Sequence, residues 1–262
     1  MILENGLQHD TNWNPWLGCR KISPACKNCL MFITQGSRFV NFGRKPEHDP
    51  ANIHRAKTTW LKPRRMQRLA EKLGRTYYSY VCGYSDFFLE EADPWRAEAW
   101  ALMKTTPSVI YQIQTKRTER IVDHLPEDWG SGYTNVWLGA GVETNAQRYR
   151  LDHLRAVPCV MRYADNVGML EDVTPGLNLD GIGWVVAGGE GGYDTVEPRP
   201  YKLQWGRNVR DLCAQLGIPF FFYQVGGRAR KQSRLLDGVE HRHLPEVTSV
   251  CTVVTCTAPE SS

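Results

Sequence analysis

The sequence predicts an α/β protein. One domain, residues 1–247, folds as a partial or closed (β/α) barrel of parallel strands, and a flexible tail follows over 248–262. Three observations lead there. From Thr76 onward strand-like and helix-like segments alternate, which argues for parallel strands joined by crossover helices. About seven strand segments can be counted along the chain. A chain of 262 residues is also one that an α/β barrel fills as a single domain.

Residues 1–12 read as an irregular lead-in. Trp13 to Gly18 reads as a short first strand running into a cysteine loop, Leu30 to Val40 as the helix after it, and Asn41 to Pro50 as a Gly/Pro-broken loop. Pro63 to Leu73 spaces Met66, Leu69, Ala70 and Leu73 along one helical face, with Pro at its start and Gly74 at its end. Thr76 to Cys82 is a β-rich strand. Asp93 to Met103 is a helix, with Asp93 as N-cap and Pro94 in the first turn. Next come a strand from Val109 to Gln114, a helix from Thr118 to His124, a strand from Asn135 to Leu138, a helix from Ala146 to Leu154, and strands from Cys159 to Tyr163 and Gly183 to Ala187. An amphipathic helix from Trp205 to Leu216, closed by Gly217, precedes a last strand from Pro219 to Tyr223. No internal repeat is visible.

Hydrophobic residues make up 42% and charged residues 23% of the chain, as in ordinary globular proteins. No run approaches a membrane span, and polar Met1 to Asp10 is not a signal peptide, so a cytoplasmic protein is expected. The formal charge of +4 is unevenly spread. From Arg38 to Arg75 there are eleven Lys/Arg against Glu47, Asp49 and Glu71, a net of +8. Such a segment suits a phosphate-binding face, with Arg64, Arg65, Arg68 and Lys72 as its track. A solvated helix surface is the plainer alternative.

Of the eight cysteines, Cys19, Cys26 and Cys29 fall at C-x6-C-x2-C in a loop framed by Trp-Asn-Pro and Ser-Pro. The others are single, at 82, 159, 213, 251 and 256. Crowding plus scatter suits a metal site in a reducing compartment better than a disulfide framework. Thiolates bind soft metals. Three of them leave a tetrahedral zinc site incomplete. They suit a four-iron cluster with one iron left open.

In parallel α/β folds the site forms at the carboxyl ends of the strands. Each exit here carries polar or small residues. They include Ser85-Asp86, Lys116-Arg117, Gly141-Val142-Glu143, Ala164-Asp165-Asn166, Gly188-Gly189-Glu190 and Tyr223-Gln224. Lys116 and Tyr223 are the candidate catalytic groups. Asp86, Glu143 and Glu190 suit an ammonium or ribose hydroxyls, and the glycines let a ligand approach the backbone. The structural alternatives are a turn cap at Asp86, a solvated pair at Lys116-Arg117 and a tight turn at Gly188-Gly189. There is no G-x-S-x-G, no GxxxxGK[ST] and no H-E-x-x-H, which removes the obvious hydrolase, P-loop and zincin readings.

The succession W-N-P-W-x-G-C, S-P-x-C-x-x-C, S-D-x-F, Q-T-K-R, N-V-W-L-G-x-x-V-E, W-V-V-x-G-G-E-x-G, P-F-F-F-x-Q-x-G-G and L-L-D-G resembles the phage Gp37/Gp68 family, also called the three-Cys-motif family. The match runs from about Trp13 to Pro245. That family resembles a divergent branch of the radical S-adenosylmethionine (SAM) enzymes, nearest to spore photoproduct lyase. The resemblance implies a barrel of the radical-SAM type. It also implies a [4Fe-4S] cluster on Cys19, Cys26 and Cys29, with SAM on the fourth iron. Ser85, Asp86, Glu143, Gly188, Gly189 and Glu190 would line the cofactor side. The chain departs from the usual pattern in several places. The first cysteine gap is six rather than three, Leu30-Met31-Phe32 replaces Tyr-Ala-Glu, Gly141 replaces Ser, and the strand after Pro158 ends Tyr163-Ala164-Asp165-Asn166 in place of a Glu-Pro motif. Gly191 replaces the Ser of Gly-Gly-Glu-Ser-Gly, and Tyr223-Gln224-Val225-Gly226 replaces Lys-Gln-Trp-Gly.

The expected function is a radical SAM enzyme supplied by a flavodoxin-like or ferredoxin-like electron donor and acting on DNA or a nucleotide-type substrate. Isomerisation or modification of a hypermodified thymidine in phage DNA is one form, and lyase-type DNA repair another. The rival is a non-catalytic, zinc-containing nucleic-acid-binding protein.

Overall fold

The computed structural model describes residues 9–33, 49, 51–192, 196–227 and 233–245. The tail with Cys251 and Cys256, most of the loop expected at 41–50 and the end of the helix expected at 30–40 lie outside the described residues; residues 30–33 are helical.

Seven strands pair side by side, all parallel, in an order that follows the chain. They are β1 (Thr11–Trp13), β4 (Tyr77–Val81), β5 (Val109–Thr115), β6 (Val136–Gly141), β7 (Met161–Val167), β8 (Trp184–Gly188) and β9 (Phe220–Phe222). The sheet curls into a half-barrel with helices interleaved between strands. Two strand pairs stand apart: β2 (Trp16–Leu17) with β3 (His54–Arg55), and β10 (Leu235–Leu236) with β11 (Val239–Glu240). The helices are α1 (Lys62–Leu73), α2 (Asp93–Lys104), α3 (Tyr149–Arg155) and α4 (Leu203–Leu216).

Strand alternation divides the sheet's residues between two clusters. Val109, Tyr111 and Ile113, Val136 and Leu138, and Val185 and Ala187 join the helices in the larger core. Tyr78, Ile110, Trp137, Tyr163, Trp184, Val186 and Phe221 form the second, on the inner face. A strand buried on both faces reads as a continuous apolar run, which is why β6 and β8 stand out in the sequence. α1 buries Pro63, Met66 and Ala70, and Gly74 ends it in the left-handed conformation, φ 60°. α4 buries Gly206, Val209 and Cys213 and ends the same way at Gly217.

Three sequence expectations are corrected. The first sheet strand is Thr11–Trp13, inside the expected lead-in. Trp13 to Gly18 is not one strand, because the chain leaves the sheet at Asn14 and Trp16–Leu17 pairs with β3 instead. Thr118 to His124 forms two 3-10 turns rather than a helix. There Arg120 turns back to bond the Phe88 carbonyl and Asp93. Asp93 is the first helical residue of α2, not its cap. Its carboxylate is held by Arg96 and Arg120.

Candidate functional site

The cysteine loop lies over the carboxyl ends of the strands, and four sets of contacts hold it there. Gly18 starts the loop with φ 87°, and a Cβ on it would come 2.8 Å from the Asn52 carbonyl, so only glycine fits this close turn. Ser85, after β4, donates to the Gly18 carbonyl at 2.5 Å. Arg117, after β5, donates to the Arg20 carbonyl at 3.1 Å. Asn28 donates to Glu190, after β8, at 2.9 Å, and Arg199 reaches the Pro24 carbonyl at 2.9 Å.

Asp86 organises the next layer. Its Oδ1 accepts from Thr115 Oγ1 at 2.6 Å and the Phe88 N–H at 3.0 Å. Its Oδ2 accepts from the Lys116 N–H at 3.1 Å and Arg117 at 3.2 Å. Trp16 donates to its carbonyl at 3.0 Å. With four bonds its oxygens are saturated, so Asp86 joins the β4 and β5 exits to the loop.

The three thiols differ. Cys26 is 7% exposed and takes a 4.0 Å contact from Lys116 Nζ. Burial acts to raise its thiol. Lys116 and backbone and side-chain hydrogen bonds at Ile22 and Ser23 outweigh that and hold it below its ordinary value. Burial pushes Cys19 up to about 12, assisted by Asp86, and raises Cys29. The thiols sense one another's charge. Among the described residues no group of three or more His, Cys, Asp or Glu is arranged to hold one metal ion. A four-iron cluster places each thiolate on a different iron, so its ligands need not converge on a point. Three thiolates, with no fourth ligand gathered with them among the described residues, suit such a cluster with an open iron.

The other candidate carboxylates are also neutralised. Glu143, after β6, is buried between Lys116 at 2.5 Å and Arg150 at 3.0 Å. Burial pushes its carboxyl up, and the two cations more than offset this and hold it low. Glu190 accepts from Asn28, from the Arg199 N–H at 3.0 Å and from the Arg199 guanidinium through both oxygens. Gly188 and Gly189 are needed by the chain itself. Cβ atoms there would come 2.8 Å from the Gln224 carbonyl and 2.2 Å from that of Val225, so the bare backbones let the segment after β9 close against β8. Tyr223 continues β9 with its N–H on the Ala187 carbonyl, half-buried beside the inner cluster.

Arg64, Arg65, Arg68 and Lys72 are exposed along α1. No ion pair from a described residue engages them. Gln67 bonds Ser108, just before β5, so Arg68 and Lys72 run toward the amino-terminal edge of the sheet, away from the cysteines.

Sequence reasoning missed Asn28 and Arg199, which tie the loop down; it listed Asp165 at a strand exit without a role, and the residue lies within β7, on its inner face. No helix among the described residues is long and apolar enough to cross a membrane. A family model described as "Protein of unknown function (DUF5131)" matches residues 7–245. No curated protein and no solved structure matches the chain.

Proposed function

We propose that this chain, which belongs to the DUF5131 family, is a radical SAM enzyme acting on a nucleic-acid-type substrate. The observation that carries the proposal is the seating of Cys19, Cys26 and Cys29 at the carboxyl end of an all-parallel half-barrel, in a loop tied to the β4, β5 and β8 exits. The motif succession resembling the Gp37/Gp68 family supports it independently. A [4Fe-4S] cluster with SAM on its open iron supplies hydrogen-abstraction chemistry when bound. The chain's own part is position and shelter. Asp86 and Arg117 fix the loop at Arg20, Asn28 and Arg199 fix it at Glu190, and Lys116 holds positive charge against Cys26. The inner face of the sheet, with Trp137, Tyr163, Trp184 and Phe221, is the apolar wall beside the reacting centre.

A nucleic-acid substrate is supported by the exposed Arg64, Arg65, Arg68 and Lys72. A duplex base would have to be flipped to reach the inner face. The reaction is isomerisation or modification of a hypermodified thymidine in phage DNA, with lyase-type bond cleavage as the alternative, and electrons come from a flavodoxin-like or ferredoxin-like donor. Anaerobic reconstitution with iron and sulfide tests the reading. A brown protein absorbing near ~400 nm is expected, and each Cys→Ala change should lower bound iron. A colourless zinc protein would return the chain to a non-catalytic nucleic-acid binder.

A further inference from the structure

Four carboxylates stand at the strand exits near the cysteines, and three are engaged by cations. Asp86 meets Arg117, Glu143 meets Lys116 and Arg150, and Glu190 meets Arg199. Asp165 is the exception. It is 6% exposed, and its one hydrogen bond from a described residue is the Val167 N–H, 3.2 Å from Oδ1. Its second oxygen has no partner among the described residues. Burial holds its carboxyl up at about 6, with Glu143 adding to the rise and Lys116 opposing it.

Its surroundings form a collar on the inner face. Asp165 pairs across the sheet with Gly141, and Gln114 with Gly139, so β6 presents no side chain between them. The Gln114 amide lies against Gly141, where a Cβ would meet Nε2 at 2.6 Å. Its Oε1 accepts from the Tyr80 hydroxyl at 3.3 Å, and its half-buried Nε2 has no acceptor among the described residues. Tyr163 covers Gly139, and its buried hydroxyl has no partner among the described residues. Tyr80 senses the charges of Asp165, Tyr163, Tyr223 and Cys29. Below the collar lies the apolar cluster of Trp137, Trp184 and Phe221. Above it lie Lys116 and the cysteine loop.

Buried polar groups are normally satisfied; the buried Tyr163 hydroxyl has no partner among the described residues, and with a half-buried amide N–H and a carboxyl without an ion pair beside it on one face, it points to a ligand. That ligand offers a carbonyl and a neutral N–H side by side, and it sits outside the Tyr163 ring and the Gln114 amide that already cover Gly139 and Gly141. We propose that Asp165 and Gln114 form the recognition collar for a pyrimidine imide edge, with Asp165 accepting the ring N–H and Gln114 donating to the adjacent carbonyl. This rests on the radical SAM reading only for the statement that the bound ring is the substrate.

The test is calorimetric titration of the protein with thymidine, with 2-deoxyribose as a control and SAM in a separate arm. Wild-type protein should bind thymidine at millimolar concentration and not the sugar. Asp165→Ala should weaken thymidine binding about tenfold, while Asp165→Asn, which keeps an acceptor, should stay within about threefold. Gln114→Ala should weaken it as well. Melting curves confirm that each variant folds. No thymidine binding by the wild type, or equal binding by a folded Asp165→Ala, overturns the proposal. A loss of SAM but not thymidine binding in that variant also overturns it and makes Asp165 a cofactor residue. The cluster is not needed for this titration, so failed iron loading would sink the radical reading and leave the collar standing.

Discussion

Lys116 places its ammonium 2.5 Å from a carboxylate oxygen of Glu143, joining the exits of β5 and β6 directly beneath Cys26. The Glu143 side chain is 1% exposed and that of Lys116 21%. Arg150 supplies the second cation, so the pair is one half of a buried triad.

Removing Lys116 leaves a buried carboxylate with one cation in place of two. Losing a partner from a buried pair costs up to about 3–5 kcal/mol, and the remaining Arg150 reduces that to about 1–3 kcal/mol for Lys116→Ala. Lys116→Ala with Glu143→Gln should lose less than the sum of the two single changes, because either single change already removes the Lys116–Glu143 contact. Urea midpoints check this, and additive losses would show that the two side chains are not coupled.

Arg199 and Glu190 hold the cysteine loop from the β8 side. Arg199→Ala removes both the ion pair and the bond to the Pro24 carbonyl. Bound iron after reconstitution should fall markedly, and Glu190→Gln should fall less because Asn28 can still donate to it. Cys213→Ala, buried in α4 far along the chain, should keep its iron. Full iron in Arg199→Ala would mean that the loop holds its shape without this tie.

The four cations on α1 make a prediction about salt. If they follow a phosphate backbone, DNA affinity falls by roughly 0.9 log unit per log unit of salt for each contact. Arg64→Ala with Arg68→Ala should flatten that slope by about two contacts. An unchanged slope would assign the face to solvent. Because Arg68 lies farther from the cysteines than Arg64, the single Arg64 change should matter more for a base held at the mouth.

Asp165 gives a pH signature. Its carboxyl titrates near 6 in the folded chain, against an ordinary value of 3.8. The groups facing it are Lys116, Glu143, Tyr80, Tyr163 and Tyr223. The folded state therefore holds this proton more tightly than the unfolded chain does. The associated stability is fully present below about pH 4 and is lost as pH rises through about 6, a difference on the order of 3 kcal/mol at most. Asp165→Asn should be more stable than wild type at pH 8, with a gap that narrows as pH falls toward 5. A gap constant across that range would contradict the buried, unpaired carboxyl.

The strands were legible because β6 and β8 are apolar on both faces and β5 carries an unbroken apolar face of Val109, Tyr111 and Ile113. β1 was not, because it has three residues and of these only Trp13 is buried; it becomes a strand through its pairing with β4. The helix expected at Thr118 failed for a similar reason, since Arg120 is directed by Asp93, which is distant in sequence. At the site, residue types at strand exits marked Asp86, Glu143 and Glu190. Their cations are distant in the chain or, like Arg150, carry no local sign of their role. Asp165 was listed at a strand exit but given no role, because a single Asp between Ala164 and Asn166 has no pattern. What distinguishes it is the lack of an ion pair among the described residues, which only the folded sheet reveals.

The central claim is that the three-cysteine loop supports SAM cleavage, and the most direct measurement is 5′-deoxyadenosine released from SAM. The protein is reconstituted anaerobically, reduced with dithionite and incubated with SAM, and the nucleoside is quantified by mass spectrometry. The account predicts 5′-deoxyadenosine from the wild type and from Cys213→Ala, and none above background from Cys19→Ala, Cys26→Ala or Cys29→Ala. A wild-type protein that carries its iron and sulfide yet releases no 5′-deoxyadenosine, or a Cys26→Ala variant that releases as much as wild type, would contradict it.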